Sequence, residues 1–151
     1  MTIVSNSTSK TARVIPVDAD GRVMLLRGEP QNGRDHWFTV GGAINPDELP
    51  NQAAVRELRE ETGIEVESAA LREPFYVGPH AFVYNEQQYE TTAHFYALAM
   101  DPTTPVSFAG LEPGEVVEEV AWRHPGEFNV NDASTPALGD LMSLAVRHLA
   151  G

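Results

Sequence analysis

Cysteine is absent from this chain, so no disulfide, thiolate metal site or thiol nucleophile enters its chemistry. Bases are scarce: 10 Lys and Arg stand against 22 Asp and Glu, for a formal net charge of −12. Binding to nucleic acid depends on neutralising many phosphates, which this balance opposes. A small anionic ligand remains compatible with it, provided that local cations and a divalent ion offset the protein's own field. Long apolar runs are also missing. Nothing approaches the roughly 20 apolar residues of a membrane span, and the opening MTIVSNSTSK holds no apolar stretch of signal-peptide length. The expectation is a soluble cytoplasmic protein with no membrane and no nucleic-acid partner.

What is present suits one globular domain. A 151-residue chain with 42% hydrophobic residues can bury most of its apolar surface, so residues 1–151 are expected to form a single domain with residues 1–10 as a polar N-terminal arm. Thr11 to Asp18 and Arg22 to Arg27 have strand patterns on either side of the turn Asp18-Ala19-Asp20-Gly21. Trp37 to Val40 predicts a short strand entering the Gly41-Gly42 turn. Pro50 suits the first position of a helix that Gly63 ends. Ile64 to Val77, Ala81 to Tyr84 and Gln88 to Ala99 are expected to be extended, with a hairpin turn at Asn85-Glu86. Asp101 to Gly114 has the composition of a loop, and Val116 to Arg123 that of a strand. Thr135 and Pro136 predict a cap and an N1 proline for a last helix, in which Leu138, Leu141, Ala145 and Leu149 recur at helical spacing.

The densest signal lies between Gly42 and Ile64, GAINPDELPNQAAVRELREETGI, which fills the pattern G-x5-E-x7-R-E-(apolar)-x-E-E-x-G-(apolar). At roughly one in twenty per fixed residue, a chance match anywhere in the chain is on the order of one in 10⁸. At 3.6 residues per turn, Glu57, Glu60 and Glu61 fall within roughly 100° on one helix face, with Val55, Leu58 and Thr62 on an adjacent face. An isolated E-x-x-E-E is ordinarily a solvated surface. Clustered like charges, however, destabilise a helix by roughly 0.2–0.5 kcal/mol per pair, a penalty that a bound cation removes. Oxygen-only ligands suit Mg²⁺ or Mn²⁺.

The segment resembles the Nudix box. Resemblance to the Nudix hydrolases implies an α+β fold in which a mixed β-sheet is sandwiched between helices, with the box as a loop–helix–loop at its edge. It also implies metal-dependent cleavage of a diphosphate linkage. At matching positions, Glu57, Glu60 and Glu61 correspond to metal-binding glutamates and Gly42 to a glycine whose carbonyl completes the metal shell. Arg56 corresponds to an arginine that orients the carboxylates. Glu48, with Gly41, supports the loop. The implied ion favours attack of water on phosphorus by acidifying water and by neutralising phosphoryl charge. Nudix enzymes draw their general base from the box helix or from a distant loop. Glu57 is the first choice here, with Glu115, Glu118 and Glu119 of EVVEEVAW as later candidates for base or ligand. Two positions depart from the family pattern: Val40 stands where Pro usually precedes the paired glycines, and Leu49 stands where Ser or Thr commonly caps the helix. Losing such a cap costs about 0.5–2 kcal/mol.

Outside the box, Arg27 ends a strand near where related proteins place a cation against substrate phosphates, a task that suits a guanidinium. Arg34 and His36 lie in the loop GEPQNGRDHW, which can close over a ligand. Phe75, Tyr76, Phe82, Tyr84 and Tyr89 offer stacking or packing surfaces. Pro79 follows the box near the place where Nudix ADP-ribose pyrophosphatases carry a proline, although Gly78-Pro79 is also an ordinary strand-ending turn. The long downstream motif of the NADH-cleaving relatives is absent, as is the cysteine of the isopentenyl diphosphate isomerases. The expected partner is therefore a small nucleotide, ADP-ribose or a related sugar nucleotide first and a (d)NTP second. Many Nudix proteins are homodimers. A sensor that binds a nucleotide without cutting it is the alternative, though such proteins typically lose a box glutamate and this chain has lost none.

Overall fold

A computed structural model of the chain describes residues 3–84 and 86–151. At its centre lies β1 (Ile3–Val17), which pairs in parallel with β6 (Gln87–Ala99) and antiparallel with β2 (Val23–Arg27) and β4 (Val40–Ala43). β5 (Tyr76–Tyr84) adds to β6, whereas β3 (Trp37–Phe38) and β7 (Glu119–Arg123) both pair with β2. The result is a seven-stranded mixed sheet.

Alternation along β1 divides the interior in two. Ala12 and Val14 point to one face and pack with Ala53, Ala54 and Leu58 of α1 (Pro50–Thr62). Ile15 and Val17 are buried on the opposite face with Leu138, Leu141, Met142 and Ala145 of α2 (Leu138–Ala150). Successive strand residues face opposite ways, so a sheet with helices on both faces follows from the pattern of β1. This is the mixed sheet between helices that the sequence predicts. Among the described residues, no helix is long and apolar enough to cross a membrane.

Several elements depart from expectation. The arm expected over residues 1–10 belongs to β1 from Ile3 onward, because backbone pairing with β6 requires no apolar side chains. Residues 64–77 are not continuously extended: Ser68–Leu71 form a 3₁₀ turn that anchors Leu71 in the core, and Arg72 follows at φ 55°. Gly78 and Pro79 lie inside β5 opposite Ala93 and Thr92 and end no strand. Proline is tolerated there because β5 is at the sheet's edge. In the expected Asn85-Glu86 hairpin turn, Asn85 lies outside the described residues, and Glu86 has φ 64°. β7 begins only at Glu119.

The last helix starts at Leu138, with Ala137 as its N-cap. Thr135 instead makes a preceding turn, its Oγ1 accepting from the Ala137 N–H at 3.3 Å and its carbonyl from the Leu138 N–H at 3.2 Å.

Helix α1 is as expected, with Pro50 in its first turn and Gly63 ending it at φ 74°, the Gly63 N–H donating to the Arg59 carbonyl at 2.8 Å. Leu49 offers no side-chain acceptor at the N-cap, but Gln52 Oε1 accepts from the Leu49 N–H at 2.9 Å. Half of a capping box is thus in place. Leu49 is 61% exposed, so little packing opposes a change there. Leu49→Ser should complete the box and raise stability by about 1 kcal/mol, read as an increased urea midpoint with unchanged slope; no gain would show that the helix start is already satisfied.

Candidate active site

The box builds its geometry around one guanidinium. Arg56, in the second turn of α1, reaches back to the preceding loop. Its Nε donates to Glu48 Oε2 at 2.8 Å, and its Nη2 donates to Glu48 Oε1 and the Ala43 carbonyl, each at 2.9 Å. Its Nη1 donates to Glu57 Oε1 at 2.9 Å and lies 3.3 Å from Glu60 Oε2. The bidentate bond holds the Glu48 carboxyl below the usual carboxylate range, and Glu48 Oε1 also accepts from the Asn45 N–H at 3.0 Å. Loop and helix are thereby joined as one unit.

Two glycines let that unit close. A Cβ on Gly42 would sit 2.5 Å from Glu57 Oε1 and 2.7 Å from its carboxyl carbon, so the carboxylate lies where a side chain would otherwise be. A Cβ on Gly41 would collide with the Ala12 carbonyl of β1. The Gly41 N–H donates to Glu61 Oε1 at 2.8 Å. Val40, in place of the usual proline, leads into these glycines from a fully buried position in β4, paired with Val14.

Glu57, Glu61 and Glu115 bring ligand oxygens within 4.8 Å of one another. Glu57 and Glu61 are 7% and 4% exposed, and Glu115 comes from the loop before β7. Burial, reinforced by the charge of Glu57, pushes the Glu61 carboxyl well above its ordinary range, against the opposing pull of the Gly41 N–H and Arg13. Burial also raises Glu57, opposed by its bond to Arg56. Crowded, oxygen-only and reluctant to ionise without a counter-charge, this group fits a hard divalent cation. Glu60, expected as a ligand, turns to Arg56 and stands outside the group.

Beside the carboxylates lies a cavity of about 480 Å³ that includes Glu61, Glu115, Gly41 and Gly42 in its wall, a volume within the range of small-ligand sites. Phe82, Tyr84 and Tyr89 supply an aromatic side, with the Phe82 and Tyr89 rings stacked at 5.4 Å. Phe75 and Tyr76 instead pack against Phe95 in the core. His36 and His80 line the cavity, both shifted downward by burial, His80 to about 4 with the charge of Arg13 adding to the shift. They are therefore neutral donors and acceptors near pH 7.

The basic residues expected at the ligand are placed elsewhere. Arg27 is held by Glu118 Oε1 at 2.8 Å and Glu119 Oε1 at 3.0 Å, which also removes those two acids from the carboxylate group. The register of β2 with β7 sets Arg27 opposite Glu119. Arg34 pairs with Asp132 at 2.9 Å. The Pro79 carbonyl accepts from the Tyr76 hydroxyl at 2.6 Å. None of the three lines the cavity.

Two cations on β1 line it, both passed over in the sequence reading: Lys10, which is exposed, and Arg13, which is only 8% exposed. Burial lowers the pKa of Arg13, and the charges of Glu61 and Glu57 act the other way. The available signal was a lone arginine inside the apolar segment ARVIPV, on the side of the strand that Ile15 and Val17 bury.

The NUDIX domain profile matches residues 8–143, and the chain belongs to that family. It is 44% identical over 50 residues to the CTP pyrophosphohydrolase of Escherichia coli K12, a match spanning 32% of this chain and 37% of that enzyme. A 47-residue stretch is 45% identical to the octanoyltransferase of Myxococcus xanthus, covering 31% of this chain and 13% of that protein. The chain thus matches well under half the length of either relative. In three dimensions it is similar to the E. coli dihydroneopterin triphosphate pyrophosphohydrolase, with a TM-score of 0.68, 19% identity, and coverage of 92% of this chain and 95% of the other. An Ap4A hydrolase of C. elegans superposes with a TM-score of 0.63 at 18% identity, over 95% and 99% of the two chains. These structural likenesses establish the fold.

Two outcomes follow from the carboxylate geometry. Gly42→Ala should displace the Glu57 carboxylate and weaken Mn²⁺ binding at least tenfold in calorimetry while the far-UV circular dichroism is kept; unaltered affinity would show that Glu57 can be reseated freely. The second concerns pH. Because the folded-state pKa of Glu61 is raised, the metal-free fold loses stability as pH rises through that pKa, where a cation binds best. The increase in Tm on adding Mg²⁺ over EDTA should accordingly grow as the pH is raised from just above the ordinary carboxylate range, and an increase independent of pH would place the ion elsewhere.

Proposed function

We propose that the protein is a cytoplasmic, Mg²⁺- or Mn²⁺-dependent diphosphohydrolase that cleaves a nucleoside triphosphate to a nucleoside monophosphate and diphosphate by attack of water on phosphorus. The observation that supports this reading most directly is the convergence of Glu57, Glu61 and Glu115 at the edge of a cavity with an aromatic wall. A triphosphate is preferred over ADP-ribose because the residue that suggested the sugar nucleotide, Pro79, lies outside the cavity. The local similarity to a CTP pyrophosphohydrolase favours the same choice.

In this reading Glu57, Glu61 and Glu115 hold the ion. When bound, a divalent cation there supplies positive charge against phosphoryl oxygens and acidifies water. The rest of the work falls to the chain's own residues. Arg56 fixes the Glu57 carboxylate, and the Gly41 N–H fixes that of Glu61, so neither must reorganise as charge develops. The proton acceptor is Glu57 or Glu115, since Glu118 and Glu119 are committed to Arg27. Tyr84 and Tyr89 offer rings to the nucleobase, and neutral His36 and His80 offer hydrogen bonds without adding charge.

The test is product release from a panel of (d)NTPs, ADP-ribose, sugar nucleotides and dinucleoside polyphosphates, each with Mg²⁺, Mn²⁺ or EDTA. An EDTA-sensitive preference for a triphosphate is expected. Glu57→Gln and Glu61→Gln should each lower kcat about 100-fold or more while keeping the fold. Asp20→Asn, in an exposed turn with Arg22 as its ion-pair partner at 3.9 Å, should leave turnover unchanged. Saturable nucleotide binding without turnover under every metal condition would replace the hydrolase by a sensor.

A further inference from the structure

Arg13 stands where the fold alone gives no reason for a charge. Its neighbours along the same face of β1, Ile15 and Val17, are core residues. The Arg13 Cζ lies 4.8 Å from the centroid of the Phe82 ring, a cation–π contact that supplies no hydrogen-bond acceptor. Arg13 Nε is buried and has no hydrogen-bond partner among the described residues. The ion pairs among those residues use Arg22, Arg27, Arg34 and Arg56.

The two nearest acids do not bond to it either. Glu57 is turned to Arg56 and Glu61 to the Gly41 N–H, so both act on Arg13 only through space. A buried guanidinium without an anion is strongly disfavoured. Nε itself is out of a ligand's reach, but Arg13 lines the cavity, so an anion entering there can meet the terminal nitrogens and offset the charge.

We propose that Arg13 is the substrate-phosphate clamp of this protein, its planar fork receiving non-bridging oxygens of a diphosphate group that also meets the Glu57–Glu61–Glu115 cluster. The inference deepens the hydrolase reading and rests on it for the class of ligand. Three observations favour a phosphate over a nucleobase carbonyl. The guanidinium is a full charge whose fork matches paired anionic oxygens. It lies within electrostatic reach of Glu61 and Glu57 and shares the cavity wall with Glu61 and Glu115. Arg27 and Arg34, the other arginines expected to perform this task, are already held by Glu118, Glu119 and Asp132. Phe82 packs against the guanidinium and limits its movement.

The experiment is calorimetric titration of the full chain with methylenediphosphonate, a diphosphate analogue with an uncleavable P–C–P bridge, in the presence of Mg²⁺. Arg13→Met should weaken binding about 10- to 100-fold, the effect of one charge-assisted group. Arg13→Lys should recover part of it. Both variants should keep the increase in Tm on adding Mg²⁺ alone.

Wild-type affinity in Arg13→Met overturns the proposal. So does loss of the Mg²⁺ response in step with diphosphonate affinity, which would mark Arg13 as a counter-ion of the carboxylates. If Arg13→Met does not fold, Arg13→Lys decides by the same two readings. Turnover of nucleoside triphosphates by the wild type, measured alongside, separates the two claims. Turnover with diphosphonate binding indifferent to Arg13 removes the clamp alone, and Arg13-dependent binding without turnover removes the hydrolase reading alone.

Discussion

The structure around the site depends on one electrostatic problem: acidic side chains brought together on a protein that is already strongly negative. Arg56 is the main answer. Its five donors reach Glu48, Glu57, Glu60 and a loop carbonyl, so one side chain offsets the repulsion and also fixes the loop against the helix. Desolvation would make each of these contacts costly if it stood alone. As a network with every partner bonded, they hold one another in place. The backbone accommodates this crowding where Gly41 and Gly42 leave no Cβ to compete with Glu57 and β1.

Glu57, Glu61 and Glu115 stay crowded beyond what Arg56 offsets, an arrangement that fits a divalent cation. β1 connects this cluster to the cavity. On one face Ala12 and Val14 position α1, which carries Glu57 and Glu61. On the other, Arg13 enters the cavity beside Phe82. Adjacent residues of a single strand thus set the acids and a buried arginine at one cavity.

How much of this could be read from the sequence differs from residue to residue for physical reasons. The box was legible because its chemistry is local: a helix between Pro50 and Gly63 fixes the directions of Glu57, Glu60 and Glu61 by its own geometry. Even there, which of the three glutamates converge with Glu115 depends on the direction in which the helix is buried, and that is set by β4 and β1. The sheet's strands were mostly legible from alternation. The 3₁₀ turn at Ser68–Leu71 was not, because four residues carry too little periodicity. The ion pairs of Arg27 were not legible because they depend on its neighbour in the sheet, and Glu119 lies far along the chain. Glu115 could not be separated from Glu118 and Glu119 for the same reason: three acids in one short segment look alike until the strand register places them. Arg13 was hidden by its setting, since a charge within an apolar strand reads as an exposed interruption until the opposite face proves to be a cavity.

The parallel pairing of β1 with β6 also dictates when the site can exist during synthesis. Ile15 finds its partner in Ala97 and Val17 in Ala99, so the central pair of the sheet must wait until about two-thirds of the chain has been made. Contacts this distant in sequence carry a loop-closure cost before they return any stability, which slows folding relative to locally connected folds. Helix α1 can form early, but Glu115 arrives only after β6, and Arg13 has no Phe82 beneath it until β5 has joined the sheet. A nascent chain therefore presents two glutamates of the carboxylate cluster long before the third, and assembles the whole cluster only on completing its central sheet.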